Sequence, residues 1–173
     1  MSSFPTDYWL IIIAGPTAVG KTDLSLSVAK YLQSEIISVD SRQLYREMPI
    51  GSAMPDEQQL ASVRHHFIAD RSVNEPLTAG EFEKEALDKM AGLWEKHPVL
   101  VAVGGSGLFL KALMEGLDDL PKSDPTLHAK WEAFLALNGL PALQEALLQV
   151  DPEYFKQIDQ SNPRRLIRAL VLA

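Results

Sequence analysis

Three groups of residues in this sequence could bind phosphate or accept a proton. The first is Gly15-Pro-Thr-Ala-Val-Gly-Lys-Thr22, which matches the phosphate-loop (P-loop) pattern G-x-x-x-x-G-K-[ST]. In such a loop the backbone N–H groups and the start of the following helix surround an anion, Lys21 adds a positive charge, and the Thr22 hydroxyl can ligate Mg²⁺. The residues expected to bind a polyphosphate are therefore Gly15, Pro16, Thr17, Ala18, Val19, Gly20, Lys21 and Thr22.

The other two groups follow short apolar segments. Asp40 comes directly after residues 35–39, and Gly104-Gly-Ser-Gly107 comes directly after residues 99–103. Ligands of open α/β sheets bind beyond the carboxyl ends of the strands, so both groups should lie near the P-loop. Asp40 could face the phosphates or cap the next helical turn, and these two interpretations are compatible. The glycine-rich segment could be a tight turn or a second place where the backbone approaches a ligand.

Asp40 is the only acidic residue that ends a predicted strand. Most P-loop NTPases hold magnesium with an Asp at the end of an apolar strand, but here the third such strand ends in Gly104-Gly105. Asp40 is then free to act on an acceptor, which favours group transfer over a mechanical ATPase.

Hydrophobic patterning predicts the elements that position these groups. The apolar runs Tyr8–Ala14, 35–39 and 99–103 predict a parallel sheet in which the first run is a buried central strand. Residues 65–69 predict an edge strand, whose adjacent histidines point to opposite faces and make a poor metal pair. After the P-loop, a helix is expected with its core face at Leu24, Val28 and Leu32. The predicted fold class is α/β, a P-loop NTPase-like parallel sheet flanked by helices, with an inserted or appended all-helical segment.

The character of the chain changes after Gly116, since every later segment reads as helix. We predict a P-loop α/β core over 1–117, a helical segment over 118–160, and a helix over 161–173 that returns to the core. The sequence ends inside an apolar helical pattern without a capping glycine, and we expect it to be the N-terminal part of a longer protein.

Composition limits the class of protein. The chain has 173 residues, no cysteine and a formal net charge of −7. A disulfide framework and cysteine-based zinc sites are excluded, and the absence of a signal peptide or a membrane-length apolar run favours a cytoplasmic, membrane-independent protein. The net negative charge argues against nucleic-acid binding, because phosphate contacts need lysine and arginine. Arg164, Arg165 and Arg168 nevertheless form a local basic cluster.

Six segments in a fixed order resemble the tRNA dimethylallyltransferase (tRNA isopentenyltransferase) family. The resemblance runs from residue 11 to the end of the chain, and the combination is far more specific than the P-loop alone. The segments are Gly15–Thr22, Asp40-Ser-Arg-Gln-Leu-Tyr45, Ile50-Gly-Ser-Ala-Met-Pro55, His65-His-Phe-Ile68, Gly104-Gly-Ser-Gly-Leu-Phe-Leu-Lys-Ala-Leu113 and Asn162-Pro-Arg-Arg-Leu-Ile-Arg-Ala-Leu170.

The resemblance implies transfer of a dimethylallyl group from dimethylallyl diphosphate to N6 of adenosine 37, beside the tRNA anticodon. The P-loop would then bind a diphosphate leaving group with Mg²⁺ on Thr22, and no ATP would be hydrolysed. Asp40 would accept the amine proton, with Lys21, Thr22 and Ser106 as the other catalytic candidates. The helical segment would bind the anticodon stem-loop, and we expect the protein to be a monomer. The residues expected to contact tRNA are Asp40, Ser41, Gln43, Leu44, Tyr45, Arg165 and Arg168.

Two positions depart from the family pattern. Met54 stands where the family usually has lysine, and Val171 stands where it usually has glutamate. Three other functions stay open at this point: a shikimate- or nucleotide-kinase-like enzyme with an ATP-binding P-loop, a prenyltransferase of free adenine nucleotides, and a non-catalytic phosphate- or RNA-binding fragment.

Overall fold

The computed structural model describes residues 7–117 and 124–173. The chain divides into two compact units, Met1–Leu117 and Asp118–Ala173, and each is described by itself. The predicted start of the helical segment at residue 118 lies outside the described residues, and the predicted return of residues 161–173 to the α/β core stays a prediction.

The first unit is a four-stranded parallel sheet with helices on its faces, which confirms the predicted fold class. The strand order is β1-β4-β2-β3, and all three neighbouring pairs are parallel. In chain order the elements are β1 (Trp9–Ala14), α1 (Lys21–Leu32), β2 (Ile36–Val39), α2 (Glu57–Ser62), β3 (His65–His66), α3 (Ala79–Trp94), β4 (Val99–Gly104) and α4 (Gly107–Glu115).

Helices cover both faces of the inner strands. On one face Phe82 of α3 stacks on Phe109 of α4, with ring centroids 4.5 Å apart. On the other face Ala29 of α1 packs with Ile36 and Val101. All four residues of β2 are consequently buried, as expected for a parallel strand that lies between two others.

Strand β1 lies at an edge of the sheet that the described residues form. It pairs with β4 on one side only, and Trp9 is 68% exposed. The prediction of a buried central strand is therefore wrong for this sheet. The apolar run of β1 predicts a strand, but it specifies neither the burial of its side chains nor how many strands flank it, since Trp9 and Ile11 are exposed.

Helix α1 turns a different face to the sheet from the one predicted. Ser25, Leu26 and Ala29 are buried, whereas Leu24 is exposed. The prediction that Leu24 faces the core is wrong, while Val28 and Leu32 pack against the core from its margin. Small side chains at positions 25 and 29 allow the helix to approach the sheet closely, and a search for large apolar residues overlooks them.

Helix α3 begins at a capping box. The Thr78 side chain accepts a hydrogen bond from the backbone N–H of Glu81, and the Glu81 carboxylate accepts one from the backbone N–H of Thr78. This reciprocal pair satisfies two N–H groups that the helix itself cannot pair.

The described residues of the second unit, 124–173, form three helices, α5 (Pro125–Val150), α6 (Pro152–Gln157) and α7 (Pro163–Leu172). Helix α5 is kinked at Gly139, where φ is 79°, two residues before Pro141. Helices α5 and α7 share a core whose fully buried members include Leu143, Leu147 and Leu166. Over residues 7–117 and 124–173, no helix has the length and apolar character needed to cross a bilayer.

Glu35 connects three segments at the amino ends of the strands. Its carboxylate lies 2.5 Å from His66 Nε2, 3.7 Å from His97 Nε2 and 3.8 Å from Arg64 Nε. Partial burial opposes ionisation of Glu35, but the hydrogen bond and charge of His66, with the charges of Arg64 and His97, outweigh it. The net effect lowers the pKa of this carboxyl below its ordinary value of 4.5.

Replacing Glu35 with glutamine should therefore cost stability that depends on pH. At pH 7 we expect a loss of about 1.5–3 kcal/mol, the range for a hydrogen bond to a charged group. Because the folded pKa lies below the unfolded one, the contribution is complete above pH 4.5 and disappears as the pH falls through the folded pKa. Urea unfolding at pH 7 and near pH 4 measures the difference. The control is Glu95→Gln at an exposed position, and an equal loss at both pH values for Glu35→Gln would contradict the prediction.

Candidate active site

The P-loop connects β1 to α1, and its backbone turns around a concave centre. Gly20 has φ 86° and Ala18 has φ 65°, a left-handed conformation that is uncommon for a residue with a side chain. Alternation of such residues with right-handed ones turns successive N–H groups inward and produces an anion-binding nest. Lys21 folds back over the loop, with its Nζ donating to the Pro16 carbonyl oxygen at 2.6 Å. The loop thus has the geometry expected of a phosphate site.

Asp40 lies at the carboxyl end of β2, next to the P-loop. Its Oδ1 accepts hydrogen bonds from the backbone N–H groups of Arg42 (2.9 Å) and Gln43 (3.3 Å). Within the described part of the chain, Oδ2 makes no hydrogen bond. One oxygen therefore fixes the turn and the other remains available to a ligand, so the capping and functional interpretations of Asp40 are both compatible with the geometry.

Two pockets of the first unit meet at Asp40. Their shared lining residues are Thr17, Asp40 and Ser52. The first pocket, of about 130 Å³, is lined on the P-loop side by Gly20, Lys21 and Thr22. The second, of about 340 Å³, is lined by Gly15, Pro16, Ser41, Arg42, Gly51, Gly105 and Ser106. A carboxylate between two cavities could act where two ligands meet.

The second glycine-rich turn is bound closely to both neighbouring segments. Ser106 Oγ accepts a hydrogen bond from the Ser41 N–H at 2.8 Å and donates one to Ser41 Oγ at 3.1 Å. A Cβ on Gly105 would lie 2.9 Å from the Gly15 carbonyl oxygen, which is closer than real Cβ contacts. The turn thus combines tight packing with a place in the wall of the second pocket, the two alternatives that its sequence left open.

The other residues expected to contact tRNA differ in how exposed their side chains are. Leu44 is completely buried in the core, so its side chain is not available to a substrate, and that part of the prediction is wrong. The Tyr45 hydroxyl accepts a hydrogen bond from the Leu77 N–H at 3.3 Å while its ring packs against the core. Arg165 and Arg168 belong to α7 in the second unit, where Arg165 is exposed and Arg168 is partly buried.

His65 lines the first pocket, which the sequence did not predict. Its Nδ1 lies 2.8 Å from the Val63 carbonyl oxygen, and because a carbonyl only accepts, Nδ1 carries the hydrogen. Burial lowers the pKa of His65, although the bond to Val63 opposes this, so the ring is neutral and Nε2 is an acceptor. Within the described residues Nε2 is buried and without a partner. His66 faces Glu35 instead, which confirms that the two histidines point apart.

Few carboxylates surround the P-loop. Among residues 7–117 and 124–173, no group of three His, Cys, Asp or Glu side chains could hold a metal ion. Magnesium in phosphate sites typically takes most of its ligands from phosphates and water, with one or two from the protein. Thr22 lines the first pocket, so its hydroxyl fits an ion of that kind whose other ligands come from phosphate and water.

Comparison with known proteins gives one consistent result. The family model described as "IPP transferase" matches residues 43–173. Proteins named tRNA dimethylallyltransferase are 51% identical in Christiangramia forsetii, over 94% of this chain and 54% of that protein, and 44% identical in Flavobacterium johnsoniae, over 91% and 51%. The chain thus spans about half the length of the curated relatives it matches.

Solved structures agree with the sequence relatives. The full-length tRNA isopentenylpyrophosphate transferase from Bacillus halodurans superposes with a TM-score of 0.62 at 36% identity, over 94% of this chain and 54% of that one. A eukaryotic dimethylallyltransferase acting on tRNA gives a TM-score of 0.77 at 26% identity, over 94% and 40%.

Proposed function

The chain belongs to the IPP transferase family, and from this premise we propose that it carries the P-loop part of an enzyme that transfers a dimethylallyl group to tRNA. The donor is dimethylallyl diphosphate and the acceptor is N6 of adenosine 37, beside the anticodon. The observation that best supports this proposal is the position of Asp40 between two pockets, both of which have P-loop residues in their walls. Transfer between two substrates requires such a meeting point.

The reaction uses the residues of both pockets. The N6 lone pair forms a bond to C1 of the dimethylallyl group, and the bond between C1 and the diphosphate oxygen breaks, with its electrons leaving on diphosphate. Asp40 Oδ2 accepts the proton that N6 releases, because an adenine amine is a weak nucleophile until it loses a proton. The acceptor must leave the anticodon stack to reach this carboxylate, as in other enzymes that act on a base.

Charge on the leaving diphosphate is stabilised by the loop. Its N–H groups and Lys21 surround the oxygens that become negative as the bond breaks. Thr22 would hold Mg²⁺, which supplies positive charge to the same oxygens when bound, and Asp40 Oδ2 is left to accept the proton. We propose that Ser41 and Ser106 form part of the pocket wall on the acceptor side. Arg165 and Arg168 are proposed as further contacts to the RNA backbone or the diphosphate. The enzyme is proposed to be a cytoplasmic monomer.

The proposal is tested with full-length protein, magnesium and dimethylallyl diphosphate, offered either unmodified tRNA or AMP. We expect tRNA to gain one prenyl group by mass spectrometry, at its anticodon loop after nuclease digestion, and AMP to gain none. Prenylation of AMP alone would identify a prenyltransferase of free nucleotides. Phosphorylation of a small acceptor by ATP, without prenyl transfer, would identify a kinase and overturn the proposal.

A further inference from the structure

The segment from Met48 to Pro55 forms one wall of both pockets. Ser52 lines both of them, Ala53 and Pro55 line the first, and Gly51 lines the second. The segment contains three turn hydrogen bonds, in which the N–H groups of Ser52, Ala53 and Met54 donate to the carbonyl oxygens of Met48, Ile50 and Pro49, respectively. It is therefore a small folded unit, which we call the wall segment, and its position depends on what attaches it to the sheet.

Gln43 provides that attachment. Its Nε2 donates to the Ser52 carbonyl oxygen at 3.2 Å and to the Ala53 carbonyl oxygen at 3.1 Å, which uses both hydrogens of the amide. Within the described residues, these are the only hydrogen bonds that residues 49–55 make outside residues 48–55. Apart from the bond of the Met48 N–H to the Tyr45 carbonyl oxygen, where the segment begins, Gln43 thus supplies every hydrogen bond between the wall segment and the other described residues of the first unit.

The other atoms of Gln43 are held by the sheet and by the Asp40 turn. Its Oε1 accepts from Ser38 Oγ at 3.1 Å, and Ser38 is a buried residue of β2. Its backbone N–H donates to Asp40 Oδ1, and its carbonyl oxygen accepts from the Ala69 N–H at 2.8 Å. Gln43 therefore joins the carboxylate between the pockets to the wall of those pockets.

We propose that Gln43 is a positioning residue that holds the wall segment at a fixed distance from Asp40, and that it is not a contact to the acceptor base. An amide whose two hydrogens are already donated has none to offer a substrate. Fixed geometry matters here because the reacting atoms must be held close to their reactive separation, and small displacements reduce the rate strongly. The inference rests on the proposed function only for its catalytic consequence, since the attachment itself exists without substrate.

Hydrogen–deuterium exchange of the substrate-free, full-length protein tests the attachment directly. Gln43→Glu keeps the shape of the side chain and the acceptor for Ser38, but it cannot donate to the Ser52 and Ala53 carbonyl oxygens. We expect exchange in residues 49–55 to become tenfold faster or more. Gln58→Glu makes the same chemical change at an exposed position of α2 near the wall segment, and it should leave that exchange unchanged.

Kinetics separate positioning from substrate contact. For Gln43→Glu we expect kcat for prenyl transfer to fall tenfold or more, with Kd for inorganic pyrophosphate within twofold of the wild type. Unchanged exchange in residues 49–55 together with a raised KM for tRNA would show a direct contact and overturn the proposal. If exchange accelerates but the wild-type protein transfers no prenyl group, the attachment stands and the proposed function fails.

Discussion

Asparagine in place of Asp40 is expected to lower the rate of prenyl transfer by about 10²–10⁴-fold, the usual contribution of a general base. The substitution isolates the base from the turn, because the asparagine Oδ1 can still accept from the Arg42 and Gln43 N–H groups. Only the charge and the proton-accepting oxygen are removed. Single-turnover rates with tRNA and dimethylallyl diphosphate measure the effect, and pyrophosphate affinity should change by less than a few-fold.

Two further variants complete this test. Asp56→Asn changes a carboxylate that caps α2 and lies outside both pockets, and it should leave the transfer rate unchanged. Asp40→Ala removes the cap as well as the base, so it should also lower the melting temperature. A transfer rate for Asp40→Asn within threefold of the wild type would exclude Asp40 as the base.

The second large effect is expected at Gly104, where β4 passes β2. A Cβ at this position would overlap the Val39 carbonyl group and lie 2.9 Å from Val39 Cα. Backbone in the middle of a sheet cannot move aside without breaking its ladder, and packed interiors tolerate little added volume. We expect Gly104→Ala to cost more than about 3 kcal/mol, near the upper range for single substitutions.

Gly92→Ala is the matched control for that substitution. Gly92 lies inside α3, and a Cβ there would meet no atom within 4 Å. Alanine should therefore maintain or raise stability, by about 0.5–1 kcal/mol. Chemical denaturation of both variants measures the difference, and a Gly104→Ala protein as stable as the wild type would show that the strands separate more easily than their packing indicates.

The sequence predicted the parts of the site that depend on chain order. The P-loop, Asp40 and the Gly104 turn each follow an apolar segment, and the carboxyl ends of parallel strands meet at one edge. Their convergence therefore needed no information about distant contacts. The capping box of α3 and the break in α5 were equally predictable, since Thr78 with Glu81, and Gly139 with Pro141, act on their own backbone.

What the sequence could not predict depends on three-dimensional neighbours. Leu44 belongs to a segment assigned to substrate binding, yet the direction of the chain after β2 turns its side chain into the core. Gln43 has the residue type of a base contact, and only the position of the wall segment shows that its hydrogens are already donated. The apolar run of β1 fits an edge strand as well as a central one, because it indicates a strand without indicating how many strands pair with it.

The edge position of β1 has a mechanical consequence for phosphate binding. The strand that leads into the P-loop is held by the ladder to β4 alone within the described residues. Edge strands open locally at lower free energy than strands paired on both sides, and any opening of β1 moves the loop that follows it. Within the described residues, the strand that leads into the anion nest is paired through one row of hydrogen bonds, from Trp9 opposite Val99 to Ala14 opposite Gly104. Phosphate bound in the nest would in turn hold that row closed, so ligand and strand stabilise each other.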